Sequence, residues 1–73
     1  MFTRFGIIAK DRLGIALEIL NTIYKLGISL VSVEVFPEKV NVKMHEIGNE
    51  QKNQLISSLN EIGDVISVKE TDL

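Results

Sequence analysis

Along this chain the spacing of apolar residues changes from a period of two to one of 3.6 and back, and does so twice. Few folds accommodate that succession in so short a length. Phe5, Ile7 and Ala9 alternate with Arg4, Gly6, Ile8 and Lys10, which predicts a first strand over about residues 2–9 with one strongly apolar face. Asp11 is then a suitable N-cap. Leu13, Ala16, Leu17, Leu20, Ile23 and Tyr24 recur at helical spacing until Lys25-Leu26-Gly27 supplies a C-terminal cation and a capping glycine, so a first helix is expected to end near Leu26. Residues 28–36 are dense in β-branched side chains, and Pro37-Glu38 turns the chain into a strand over 39–47, giving a hairpin.

In the second strand of that hairpin Val40, Val42 and Met44 share one face, and Asn41, Lys43 and His45 the other, as in a sheet covered on one side only. In the first, Ile28 and Leu30 are out of phase with Val33 and Val35 unless a bulge intervenes near Ser32. Gly48-Asn49 ends the hairpin and caps a second helix over about residues 50–62, with Leu55, Ile56, Leu59 and Ile62 as its apolar stripe. Gly63-Asp64 stops it before a last strand at 65–69. The order β-α-β-β-α-β, with right-handed crossovers, predicts an α+β, ferredoxin-like sandwich. Its four-stranded antiparallel sheet carries two helices on one face, and residues 1–73 form a single domain.

With 73 residues and no cysteine, the core is small and has neither disulfide nor thiolate metal site to reinforce it, which makes self-association the expected further source of stability. Ten acidic against eight basic residues give a slightly acidic surface, which argues against direct contact with nucleic acid. No apolar run approaches the ~20 residues that span a bilayer, and the first residues lack the zones of a signal peptide, so the expectation is a cytoplasmic protein without membrane contact.

The first helix carries a second apolar stripe, Ile15, Ile19 and Leu26, on the side roughly opposite Leu13, Leu17, Leu20 and Tyr24. A monomer has a use for one stripe only. Ile15, Ile19 and Leu26 are therefore expected at a homodimer interface, together with Val31 and Val33 of an apolar edge strand that can pair with its symmetry mate. The junction of the first strand and first helix presents unpaired N–H groups and a partial positive charge, which suits a carboxylate. Gly14, expected one turn into the helix at a cost of about 1 kcal/mol relative to alanine, either admits a ligand to the backbone or permits close packing. Arg12 is a further candidate for a carboxylate, and Asp11 for a cap.

Lys10-Asp11-Arg12-Leu13-Gly14, leaving a strand for a helix, and Leu26-Gly27-Ile28-Ser29-Leu30, leaving that helix for a strand, resemble an ACT domain. The resemblance is nearest to the N-terminal ACT module of aromatic-amino-acid-responsive transcriptional regulators of the tyrosine repressor type, and spans essentially the whole chain. It implies side-by-side pairing through the second strand. It also implies an amino acid, aromatic by preference, bound between Lys10, Asp11, Arg12, Leu13 and Gly14 of one subunit and Ser29 and Leu30 of its neighbour. On that resemblance the chain is either a module of a longer regulator or a free-standing relative. A dimerisation element that binds nothing, and a regulatory subunit acting on a biosynthetic enzyme, are the competing expectations.

Other chemistry finds no support in the residues. His45 lacks a second ligand at metal-binding spacing, Glu46 and Glu50 make no acid/base pair, and no serine has a histidine placed by a recognisable motif. No catalytic residue, metal or cofactor is expected. An RNA-recognition domain needs aromatic side chains on its central strands, where Arg4, Ile8, Asn41, Lys43 and His45 point outward here, and a soft-metal chaperone needs cysteines.

Overall fold

The structure, a computed structural model, describes residues 1–71. Its elements are β1 (Phe2–Ala9), α1 (Ile15–Lys25), β2 (Leu30–Phe36), β3 (Lys39–His45), α2 (Asn49–Asn60) and β4 (Val65–Thr71). The sheet has the order β2-β3-β1-β4 with every neighbouring pair antiparallel, so β1 and β3 lie inside and β2 and β4 form the edges. This is the ferredoxin-like sandwich expected.

On β1, Thr3, Phe5, Ile7 and Ala9 turn to the helices, and on β3 Val40, Val42 and Met44 do the same. All seven are buried. The two central strands thus lay down one continuous apolar floor, because residues two apart on a strand share a face and cross-strand partners match it. Ile15, Ile19 and Ile23 of α1 and Leu55 and Leu59 of α2 cover that floor. Thr3 is the one polar member, and its hydroxyl oxygen accepts a hydrogen bond from the Ile47 N–H at 3.3 Å. The edge strands are bulged where the parity changes: Leu30 pairs with Met44 but Ser32 with Lys43, which absorbs the phase shift between Leu30 and Val33. A second irregularity falls at Ile8/Ala9 opposite β4.

Helix α1 departs from the sequence expectation in two ways. It begins at Ile15, with Gly14 as N-cap in the left-handed region at φ 85° and no side-chain cap, so Asp11 is not the capping residue. The loop 10–14 instead makes its own turn, in which the Ile15 N–H donates to the Arg12 carbonyl at 3.2 Å. Gly14 accordingly imposes no helix-interior cost; it occupies the one position in this turn that an L side chain would strain.

The helix also presents the other stripe to the core. Ile15 and Ile19 are 7% and 0% exposed, whereas Leu13 is 100%, Leu17 70% and Tyr24 78% exposed. Ile15 and Ile19 are therefore unavailable to a second chain, and Leu26 is half-buried against the core. Val33, opposite Val42, is likewise half-buried on the helix side, and Val31 at the bulge is exposed. Both stripes have the same spacing, so the pattern alone could not say which one faces the sheet.

This inversion sets an expected outcome. Ile19→Ala should lower the unfolding free energy by about 2–5 kcal/mol, as for a fully buried aliphatic side chain, while Leu17→Ala should change the stability of the monomer by no more than about 0.5 kcal/mol. Urea titrations of the two variants give the comparison.

Candidate functional site

The β1–α1 loop forms one wall of a hollow of about 710 Å³. Asp11 to Leu17 line it from one side and Val35 to Val40, the tip of the chain's own β2–β3 hairpin, from the other, with Ala9 at the base. The register explains the juxtaposition: Ile7 pairs with Val40 and Ile8 with Lys39, so the hairpin turn must end beside the last residue of β1. The Ala9 N–H donates to the Glu38 carbonyl at 3.1 Å and closes that corner.

At the mouth of the hollow lies the start of α1. The first amides of a helix have no intrahelical acceptor, and here the Ile15 N–H is taken up by the Arg12 carbonyl while the Glu18 N–H reaches the Gly14 carbonyl at 2.9 Å. The Ala16 and Leu17 amides have no acceptor among the described residues. They point the positive end of the helix dipole at a space walled in part by Leu13, Leu17, Val35, Phe36 and Pro37, with Asp11, Arg12, Glu38 and Lys39 also on its lining. Two donors beside an apolar wall can hold a small carboxylate that carries an apolar side chain.

Arg12 performs a different task from the one expected of it. Its Nη2 donates to both carboxylate oxygens of Glu18, at 2.6 and 3.1 Å, and its Nε donates to Asp64, 52 residues away between α2 and β4. Its hydrogen bonds to Glu18 first, then to Asp64, raise its pKa above the ordinary arginine value. With Glu18 and Asp64 occupying both its edges, Arg12 is a clamp on the loop, reinforced by the Lys10 N–H donating to the Asp64 carbonyl at 2.8 Å. The Arg12 Nη1, 3.4 Å from the Leu13 carbonyl, has no carboxylate partner among the described residues. Lys10, Asp11, Leu13 and Gly14 are exposed, and all but Lys10 line the hollow.

Ser29 and Leu30 lie elsewhere. They line a separate hollow of about 440 Å³ with Tyr24, Gly27 and Ile28, at the far end of α1. Eleven residues of helix separate the two places, about 16 Å. Within one chain they do not meet. Val35, Phe36, Pro37 and Glu38 were not anticipated as site residues; the signal was present in the element order, since antiparallel pairing of β1 with β3 obliges the β2–β3 turn to sit where β1 ends.

Two measurements follow from this geometry. Replacing Gly14 by alanine should cost about 1 kcal/mol, because φ 85° is held there, whereas Gly63→Ala, outside that region, should stay within about 0.5 kcal/mol. Arg12→Gln should accelerate hydrogen exchange at the Lys10 amide, whose acceptor belongs to the residue that Arg12 holds, and should leave the exchange of central β1 amides unchanged.

The sequence matches no protein-family model and no curated protein. Solved structures do resemble it. The ACT domain of a GTP pyrophosphokinase from Chlorobium tepidum superposes with a TM-score of 0.85 at 15% identity, over 97% of this chain and 97% of that one. A homoserine dehydrogenase from Thiobacillus denitrificans gives 0.75 at 15% identity, with 96% of this chain covering 17% of the enzyme. An uncharacterized protein from Thermotoga maritima gives 0.67 at 18% identity, over 99% and 95% of the two chains. At these identities the likeness is one of architecture, and the chain has the fold of an ACT domain.

Proposed function

We propose that this chain is a regulatory domain that binds an amino acid at the β1–α1 junction and works as a homodimer, with no catalytic activity of its own. The observation that carries the reading is the pair of unpaired amides at Ala16 and Leu17, opening on a hollow walled by Leu13, Leu17, Val35, Phe36 and Pro37. The α-carboxylate of an amino acid suits the amides, and the apolar wall favours a large, preferably aromatic, side chain. The solved structures with this fold include an ACT domain of a pyrophosphokinase and a segment of a homoserine dehydrogenase, which supports a module attached to other machinery. The resemblance of the Lys10–Gly14 and Leu26–Leu30 segments to those of tyrosine repressor type regulators favours control of transcription in aromatic amino acid metabolism as that machinery. A free-standing subunit of a biosynthetic enzyme is the alternative setting, and the cytoplasm the compartment in either.

Dimerisation has its own support. Leu13 of the β1–α1 loop, Leu17 and Tyr24 on α1, and Val31, Val35 and Phe36 on β2 are exposed, and β2 is an edge strand with unpaired backbone groups. Side-by-side pairing through β2 extends the sheet across a two-fold axis and covers the strand edge together with the α1 face beside it. In such a pair Ser29 and Leu30 of a second copy approach the β1–α1 junction of the first. The exposed face of α1 takes the interface role expected of Ile15 and Ile19. A dimerisation element without ligand uses the same surface, so only the hollow separates the two readings.

Thermal unfolding of the chain in the presence of each of the twenty amino acids at millimolar concentration tests the proposal. A ligand at about 100 times its Kd adds about 2.7 kcal/mol and raises the midpoint by several degrees. A shift confined to phenylalanine, tyrosine or tryptophan is the expected result; no shift with any amino acid, in a chain that sediments as a dimer, leaves dimerisation alone as the function. Val35→Lys should turn that dimer into a monomer.

A further inference from the structure

The slight overall acidity of the chain conceals a separation of charge. Arg4, Lys39, Lys43 and Lys69 all stand on the sheet face that no helix covers, with Glu34 the one carboxylate among them, while the other described carboxylates belong to helices, loops or the helix-side row of β4. The registers place these residues in rows across the sheet. Ser32, Lys43, Arg4 and Thr71 make one row, and Glu34, Asn41, Gly6 and Lys69 the next, about 7 Å further along the strands.

Two features of these rows call for an anion. Arg4 and Lys43 are direct cross-strand partners, an arrangement that destabilises a sheet when both are cations. Neither they nor Lys39 nor Lys69 makes an ion pair among the described residues; the ion pairs present are Arg12 with Glu18 and Asp64, and Lys52 with Glu70. Lys43 has only the Phe2 ring beneath it, at 4.3 Å. The second feature is shape. A depression of about 360 Å³ on this face is lined by Arg4, Lys39, Lys43, Asn41, Ser32 and Glu34 among others, and the Lys39, Asn41 and Thr71 side chains lean over Gly6 in the middle of β1 to form it.

We propose that this depression binds a chain of two or three phosphates, seated between the Arg4–Lys43 pair and Lys39, with the Asn41 amide and Ser32 hydroxyl as neutral donors. A single carboxylate is too short to bridge two rows about 7 Å apart; an oligophosphate spans them and relieves the Arg4–Lys43 repulsion. Extended single-stranded nucleic acid fits less well, because the outward rings Phe2 and Phe36 stand at opposite corners of the face and form no continuous stacking platform. The site lies on the side of the sheet away from the helices and does not depend on the amino-acid reading.

Calorimetric titration of the full chain with inorganic tripolyphosphate, with ATP and with an oligouridylate of about ten nucleotides tests the proposal. Tripolyphosphate should bind once per chain. Lys43→Gln and Lys39→Gln should each weaken it about tenfold, equivalent to about 1.4 kcal/mol, and Glu34→Gln should strengthen it. Lys69→Gln removes a charge of the same face outside the depression and should leave the binding unchanged. ATP binding tighter than tripolyphosphate identifies a nucleotide as the source, and equal binding a free phosphate chain. No binding of either, binding that Lys43→Gln and Lys39→Gln leave unchanged, or binding of the oligouridylate alone overturns it.

Discussion

Strand β1 runs through the centre of the sheet with one apolar row, Thr3, Phe5, Ile7 and Ala9, and removing that row from water is what both helices accomplish. Each β-α-β crossover must be right-handed, so the two helices return over the same side of β1. Val40, Val42 and Met44 widen the row across β3, and Ile19, Ile23, Leu55 and Leu59 close it without a buried polar side-chain atom left unpartnered among the described residues. The consequence for the other side is equally firm. With no element left to cover it, that face keeps its cations in solvent, and a glycine can stand in the middle of it without leaving a void in the core.

Helix α1 has more apolar surface than this task needs. At 100° per residue, Ile15, Ile19 and Ile23 fall within an arc of about 80°, and Leu17, Leu20 and Tyr24 within one of about 60° centred about 130° away. A stripe of roughly 100° suffices to cover a core, so one set is surplus in a monomer. The surplus is Leu17 and Tyr24, with Leu13 of the preceding loop, and it adjoins the exposed Val35 and Phe36 of the edge strand. An edge strand with free backbone groups beside uncovered leucines is an aggregation hazard that a specific partner removes.

How far the sequence discloses this arrangement depends on the period involved. Strand faces were legible because an alternation of two leaves no choice: once Phe5, Ile7 and Ala9 share a side, so do Val40, Val42 and Met44, and even the bulge near Ser32 follows from the parity of Ile28 and Leu30 against Val33. The face of α1 was not legible, because two stripes of equal spacing compete and the choice is made by where the helix starts. That start depends on Gly14 adopting a left-handed backbone, which an aspartate three residues earlier, suited to capping but not the cap, disguises. In the candidate site the β1–α1 junction could be read from the local sequence, but not the place of Gly14 as the N-cap. The task of Arg12 could not, since Asp64 is remote in the chain and only the closed sandwich brings the two together. The cationic rows were hidden by net charge, which sums over both faces of the sheet.

The two halves of the proposed function constrain each other through Leu13 and Leu17. These side chains line the hollow and also belong to the exposed face of α1. A ligand can drive assembly only by as much as it binds the pair more tightly than the single chain, and assembly then tightens the ligand by the same factor. One chain alone already supplies both walls of the open hollow, the second from its own hairpin, Val35 to Val40. An amino acid held only by those walls and the Ala16 and Leu17 amides would bind monomer and dimer alike and would transmit nothing. Signalling in the proposed dimer therefore requires that a second copy add contacts to the same ligand, and the proposal gives that task to its Ser29 and Leu30, which lie too far along α1 to serve within their own chain.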